Sequence, residues 1–362
     1  MNKLTKNKNL INDTFMFSIV SVVLGLLVGA IALIVSGHNP ITVYGALIQG
    51  IIGKPKYIAW TIIRATPLIL TGLSIAFAFK TGLFNIGAEG QFIIGALVAV
   101  IVGAGLDLPA FIHIPVTMGA AAIAGALWGG IAGWLKARFG INEVIANIML
   151  NWIAFYFSNF ILTTTWLKMP NSETSVAIKD SAKISINWLT DLVGPSTSVN
   201  WGIVISIILV IIIAFILKKT ILGFELRAVG FNRFGAEYAG INVNSSMIKS
   251  MAIAGLLAAL AGAIQVMGVT NVITVLPSQE GYGFDGIAVA LIANNNPIGV
   301  IFSGLLFGAF KYGGTKMQSV GAPSEVISII IGSIVYFIAL VNVIKIVYTK
   351  FIQKRRNEGV NE

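Results

Sequence analysis

The chain has 362 residues, 56% of them hydrophobic and only 10% charged, with a mean hydropathy of +0.89; soluble domains carry about 25% charged residues, so this is a membrane protein with no room for a soluble catalytic domain. The net charge of +10 sits at the ends of apolar runs and not in one patch, which argues against nucleic acid and fits an anionic membrane surface. With no Cys and two widely spaced His (His38 and His113), disulfides and thiolate metal sites are excluded and no histidine metal site is expected.

Residues 1–14 form a polar, basic tail with Lys3, Lys6 and Lys8 against Asp13. The apolar run Phe15–Val35 is too long for the core of a signal peptide and reads as an uncleaved first span, N-terminus inside. Ser36–Lys56 then lies outside, with a short amphipathic piece, Thr42–Ile52; Lys54 and Lys56 run against the charge rule there. Further spans follow at Tyr57–Phe79, Ile86–Val102 and Ile112–Leu135. The last carries Gly125, Gly129 and Gly133 at four-residue spacing, a small-residue ridge for close helix packing. Lys136 and Arg138 mark the inside again.

The fifth span, Glu143–Thr163, places Glu143, Asn147 and Asn151 on one helical face. A polar face does not point at lipid, so it meets other helices or water. Residues 164–200 balance Lys168, Lys179 and Lys183 against Glu173, Asp180 and Asp191 and read as an external loop. Span six is Trp201–Leu217 and span seven Met247–Met267.

Between them, residues 218–249 carry five cations against two acids, which marks a cytoplasmic loop. Its interior reads as two short helical pieces broken near Gly230-Phe231-Asn232, with small residues at Gly235, Ala236, Ala239 and Gly240. Gly283–Ala309 is apolar but interrupted by Asn294-Asn295-Asn296-Pro297. Taken as two short spans, it returns the basic tail (Lys345, Lys350, Lys354, Arg355, Arg356) to the inside. The expected fold is therefore all-α, with about ten membrane segments, the last Val326–Val347. It forms one permease domain over 15–347, and both termini, including the tail 348–362, are cytoplasmic. Two pseudo-repeat halves are expected from a faint echo: Gly82–Gly87 and Gly281–Gly286 each open a membrane segment with interrupted polarity.

The candidate path residues are Arg64, Asn85, Glu89, Gln91, Glu143, Asn147, Asn151, Asp285 and Asn294. In GLFNIGAEGQ (Gly82–Gln91) the plain reading is a helix N-terminus, with Asn85 as cap and Glu89 complementing the dipole. The Glu143/Asn147/Asn151 face suits helix-to-helix hydrogen bonding or solute contact. Trp152, Phe155 and Phe84 offer π faces to a nucleobase, or pack.

RATPLILTGL (Arg64–Leu73), GLFNIGAEGQ, NEVIANIMLN (Asn142–Asn151) and GFDGIAVALIANNNPIG (Gly283–Gly299) together resemble the permease subunits of bacterial nucleoside ABC importers, within the branched-chain amino acid and sugar permease superfamily. The pattern A-x-x-x-G-I-N-V from Ala236 to Val243 resembles the coupling loop that docks on the ATPase of such transporters. The resemblance implies a type II importer in the cell membrane. Its partners are a second permease, an ATPase carrying ATP and Mg, and a nucleoside-binding lipoprotein outside. The docking contact falls to Glu225, Arg227, Arg233, Ala236, Glu237 and Gly240, with the small face at Ala236 and Gly240 against the ATPase. No cofactor is expected on this chain, which lacks a phosphate-cradling Gly-x-x-x-x-Gly-Lys loop. The alternatives are a permease for sugars or another polar solute, and an ion-coupled carrier using Glu89, Glu143 or Asp285. An intramembrane enzyme finds no catalytic grouping.

Overall fold

The computed structural model describes residues 20–164, 166–194 and 196–340. The basic termini and the end of the expected last span lie outside these residues. Among the described residues the chain is helical and forms no extended strand, only isolated antiparallel bridges. Seven of the described helices are long and apolar enough to cross a membrane, and four shorter ones are apolar. Contacts among the described residues gather into two units, one of residues 52–312 and one of 20–51 with 313–340.

The larger unit begins with α3 (Pro55–Phe79), α4 (Ala88–Gly105), α5 (Ala110–Phe139) and α6 (Glu143–Thr164); α1 and α2 belong to the smaller unit. After a polar segment with a short helix α7 (Asn187–Val193) come α8 (Gly202–Lys219), α9 (Ile221–Phe231), α10 (Arg233–Tyr238) and α11 (Val243–Gln265). α11 runs on through a π turn to Thr270, then α12 (Tyr282–Ile292) and α13 (Pro297–Gln318) complete the unit. α11 is its buried axis. Its residues Met251, Ala254, Ala258, Ala259, Ala261 and Ala263 have no exposed surface.

The glycine ridge explains how α11 gets there. A Cβ at Gly129 or Gly133 would fall 3.0 Å from the Gly255 or Ile248 Cα, and at Gly125 2.5 Å from the Gly255 carbonyl. Lipid offers no hydrophobic drive for helix pairing, so close backbone contact between small residues supplies it. Glycines reserved for packing are what the four-residue spacing predicts. Helix ends extend past the apolar runs: α11 starts at Val243, because Asn242 Oδ1 accepts from the Ser245 N–H and supplies the cap.

The 166–200 segment straps one end of this unit. Ser175 N–H donates to Ile273 O at 2.8 Å, Ile178 N–H to Asn271 O at 2.9 Å and Lys179 N–H to Gly103 O at 2.9 Å. Lys179 also pairs with Asp107 at 2.5 Å. His113 is pinned here, its Nδ1 2.8 Å from Ser181 Oγ and its Nε2 3.2 Å from Val102 O. At the opposite end lie Phe79, the α8–α9 junction and the turn between α12 and α13.

The smaller unit holds α1 (Val20–Val35), α2 (Pro40–Ile52), the end of α13 and α14 (Ser324–Ala339). Tyr44 Oη–H donates to Leu26 O at 2.5 Å and Ser21 Oγ–H to Phe337 O at 3.1 Å, tying α1 to α2 and α14.

Candidate functional site

After α3 the chain turns back over residues 80–87, and the side chains of this turn are answered by amides on neighbouring helices. Asn85 and Gln91 exchange hydrogen bonds: Asn85 Nδ2 donates to Gln91 Oε1 at 2.8 Å and Gln91 Nε2 to Asn85 Oδ1 at 3.0 Å. Asn85 Nδ2 also donates to Ser74 Oγ at 2.9 Å. Asn151, from α6, accepts from the Gly90 N–H at 2.8 Å and donates to Ile86 O at 3.0 Å. Asn147 makes a longer bond to Phe84 O at 3.4 Å, and its Oδ1 is buried with no partner. The α6 polar face therefore clamps the turn ahead of α4. Asn85 is not the helix cap expected of it: the N-cap position of α4 is Gly87, with no side-chain cap, and Asn85 is held by Gln91 instead.

Glu89 sits at the centre of this arrangement with none of its surface exposed. Its Oε1 accepts from the Gly281 N–H and its Oε2 from the Gly283 N–H, each at 2.7 Å. Those N–H groups open α12, whose 11 residues span about 16 Å at roughly 1.5 Å per residue. That is half of a ~30 Å hydrocarbon core. The free N–H groups and positive dipole end of such a half-helix need an anion in a dry interior, and Glu89 supplies it from within the chain. Gly283 permits the approach, since a Cβ there would lie 2.5 Å from the Glu89 Cα. The two echoing segments thus face one another. They differ in what they open, because α4 is an 18-residue helix and α12 a half-helix.

From this node an aromatic wall extends along α3 toward the strapped end. Phe92 stacks on Tyr282 with centroids 4.9 Å apart. Arg64 donates from Nη1 to Tyr282 Oη at 3.2 Å and lies 5.8 Å over the Trp60 ring. Trp60 in turn stacks nearly parallel to Tyr312 at 6.1 Å, beside Tyr57 at 5.9 Å from the same ring. Positions 57, 60 and 64 share one face of α3. Glu280 borders the group. It keeps an exposed edge, yet the protein packed around its carboxyl pushes the pKa up to about 7, the Glu89 charge adding to the rise and Arg64 opposing it.

The other path candidates are placed elsewhere. Glu143 pairs with Lys136 at the start of α6, and Asp285 pairs with Lys311 of α13. Asn294 lies in the turn between α12 and α13 with φ +50°, lining a cavity at the far end of the unit. Trp152 and Phe155 meet edge-on with centroids 5.6 Å apart, but Phe84 does not join them: it packs on Phe79 at 5.0 Å, while Trp152 faces outward with Met149, Tyr156 and Phe160. Sequence reasoning missed Trp60, Tyr282 and Tyr312. The 57/60/64 spacing on α3 was the available signal.

Residues 221–238 form the two helices expected of the 218–249 loop, broken at Asn232, whose Oδ1 caps α10 by accepting from the Gly235 N–H. The small face expected to dock divides, Ala236 turning inward while Gly240 stays exposed. Ala236 is only 4% exposed and packs into its own chain with Val229, Val243 and Met247. Gly240 serves the chain reversal after α10, with φ +84° and open space around it. What α9 and α10 present outward is Phe231, Phe234 and Tyr238, at 90%, 80% and 96% exposure, flanked by the exposed Arg233 and Glu237. Glu225 is half-buried, and Arg227 turns back, its Nε donating to Gly223 O at 3.1 Å.

The family model described as the permease component of branched-chain amino acid transport systems matches residues 57–340. The guanosine ABC transporter permease NupP of Bacillus subtilis is 42% identical over 94% of this chain and 97% of its own. The nucleoside permease NupB of Lactococcus lactis is 37% identical over 92% of each chain. The glucose permease TsgB13 of Haloferax volcanii is 31% identical over 88% and 86%. B. subtilis and L. lactis each hold a second such permease, NupQ and NupC, matching at 29% over 253 residues and 27% over 258. No solved structure matches the chain.

Proposed function

The chain belongs to the family of permease components of branched-chain amino acid transport systems, and from that premise we propose that it is the membrane subunit of an ATP-driven importer for nucleosides. A second, homologous permease completes the path, an ATPase docks on α9 and α10, and a binding lipoprotein delivers solute at the strapped end. The termini lie on the ATPase side.

The observation that carries this reading is the aromatic face of α9–α10, which stands exposed where a partner subunit would dock, while the three acids expected to serve an ion-coupled carrier are already engaged. Glu89 is held by two N–H groups, Glu143 by Lys136 and Asp285 by Lys311. Breaking such pairs costs free energy, most of all at the fully buried Glu89, so these three are not poised to load and unload a proton. An external drive accords with this, and the exposed aromatic face of α9–α10 gives it an entry. The neutral solute fits the same site. With the α12 N-terminus answered by Glu89, that helix end offers no site to an anionic solute, while Trp60, Tyr282 and Tyr312 offer π faces, and base stacking is worth about 1–3 kcal/mol.

Uptake of labelled guanosine into vesicles holding the whole transporter tests this. It should follow internal ATP and survive a protonophore at constant ATP; loss under the protonophore would establish ion coupling instead. In the same assay Trp60→Ala should raise KM with little change in kcat.

A further inference from the structure

At the end of the 52–312 unit that carries α9, a cavity of about 600 Å³ is lined by Lys80, Lys218, Arg227, Asn294 and Asn296, with Phe79 and Phe231 as apolar walls. The three cations come from three elements: Lys80 follows the last residue of α3, Lys218 lies in the last turn of α8, and Arg227 is on α9. Among the described residues no acid lines the cavity, and none of these three cations forms an ion pair. Elsewhere in the chain Lys136, Lys168, Lys179, Lys183 and Lys311 are each paired.

A cation at a helix C-terminus complements the dipole, which accounts for Lys80 and Lys218 singly. It does not account for their convergence with Arg227 on one cavity, where like charges repel. That crowding is felt: burial and, second to it, the Arg227 charge hold the Lys80 amine below its usual range. A guanidinium, two ammonium groups and two side-chain amides on one volume are the donor set of a tetrahedral oxyanion, the guanidinium offering a fork to two of its oxygens.

We propose that this cavity is a binding site for a phosphate group, carried by a small molecule or by a lipid headgroup. A neutral nucleoside cannot supply the charge, so the ligand is distinct from the transported solute, and the proposal stands apart from the reading of the node at Glu89. Because the cavity joins the ends of α3 and α8 to α9 and to the turn between α12 and α13, an occupant ties the half-helix to the α9–α10 connection.

The test uses the complete transporter in nanodiscs, with the ATPase sites saturated throughout by a non-hydrolysable ATP analogue. The two probes are guanosine 5′-monophosphate added to discs of phosphatidylcholine, and discs in which phosphatidylglycerol replaces part of that lipid. The expected result is a saturable rise in thermal midpoint with one probe, its apparent affinity falling about tenfold or more in Lys218→Gln/Arg227→Gln, as loss of charge-assisted bonds requires. A response to the monophosphate alone identifies a soluble ligand, and a response to phosphatidylglycerol alone identifies a headgroup. Without either probe the variant should melt at or above the parent, because repulsion is relieved. Should it melt lower, Lys80→Gln, which leaves the α8–α9 junction intact, takes its place. A midpoint that neither probe moves, or a rise that persists in the variants, overturns the proposal.

Discussion

The node at Glu89 and the connection formed by α9 and α10 invert each other. In the first, charged and amide groups are buried in the unit's interior, and nearly all are answered: Glu89 by Gly281 and Gly283, Asn85 by Gln91, Asn151 by Gly90 and Ile86. In the second, Phe231, Phe234 and Tyr238 stand almost wholly exposed at the polar end of the molecule. Where water is absent the expensive object is an unpaired polar group; where water is present it is an exposed apolar patch. The polar residues that stand out in the sequence are therefore answered within the chain, and the apolar ones that look ordinary are left exposed.

The largest break in this contrast should come from Glu89→Ala. It strands two buried N–H groups and the positive end of α12, and removing one partner of such a buried charged cluster costs about 3–5 kcal/mol. The expected outcome is a marked drop in thermal midpoint in detergent and loss of the assembled transporter, with Glu89→Gln intermediate because it keeps one acceptor oxygen. An unchanged midpoint in Glu89→Ala, with uptake reduced, would make Glu89 a solute-contact residue instead.

A smaller and opposite effect is expected at α10. Phe234→Ser with Tyr238→Ser should leave the midpoint of the permease unchanged and weaken ATPase co-purification, since exposed aromatic anchors of an interface are worth about 2 kcal/mol or more. Ala236→Trp should do the reverse of a docking mutation and destabilise the chain itself, by about 1–3 kcal/mol of overpacking. Co-purification and melting measured on the same preparations separate the two. Retention of the ATPase by the double serine variant would return α9–α10 to the status of a linker.

The smallest effect concerns Glu280. Its folded pKa is raised to about 7 from an ordinary carboxylate value, so the folded state holds the proton more tightly than the unfolded one, and stability falls as pH rises through that window. Glu280→Gln should match the parent at low pH and melt slightly higher above pH ~7. Parallel melting curves across the range would show that Arg64 neutralises Glu280 completely.

Much of this was written in the sequence because it depends on spacing alone. The apolar runs locate the long helices, Gly125, Gly129 and Gly133 foretell a packed ridge, and the Asn294–Pro297 interruption foretells the break between α12 and α13. The two short helices of the 218–249 loop follow equally from local signals, an Asn cap and a glycine reversal. Which partner each polar side chain takes was settled only in three dimensions. Glu89 meets an N-terminus 192 residues away in sequence. Asp285, in the first turn of the helix whose N-terminus Glu89 answers, reaches Lys311 on the next helix instead. The inward turn of Ala236 is likewise tertiary: a six-residue helix has no periodicity long enough to declare its buried face. That face is set by Val229, Val243 and Met247, which pack against it from either side in the chain.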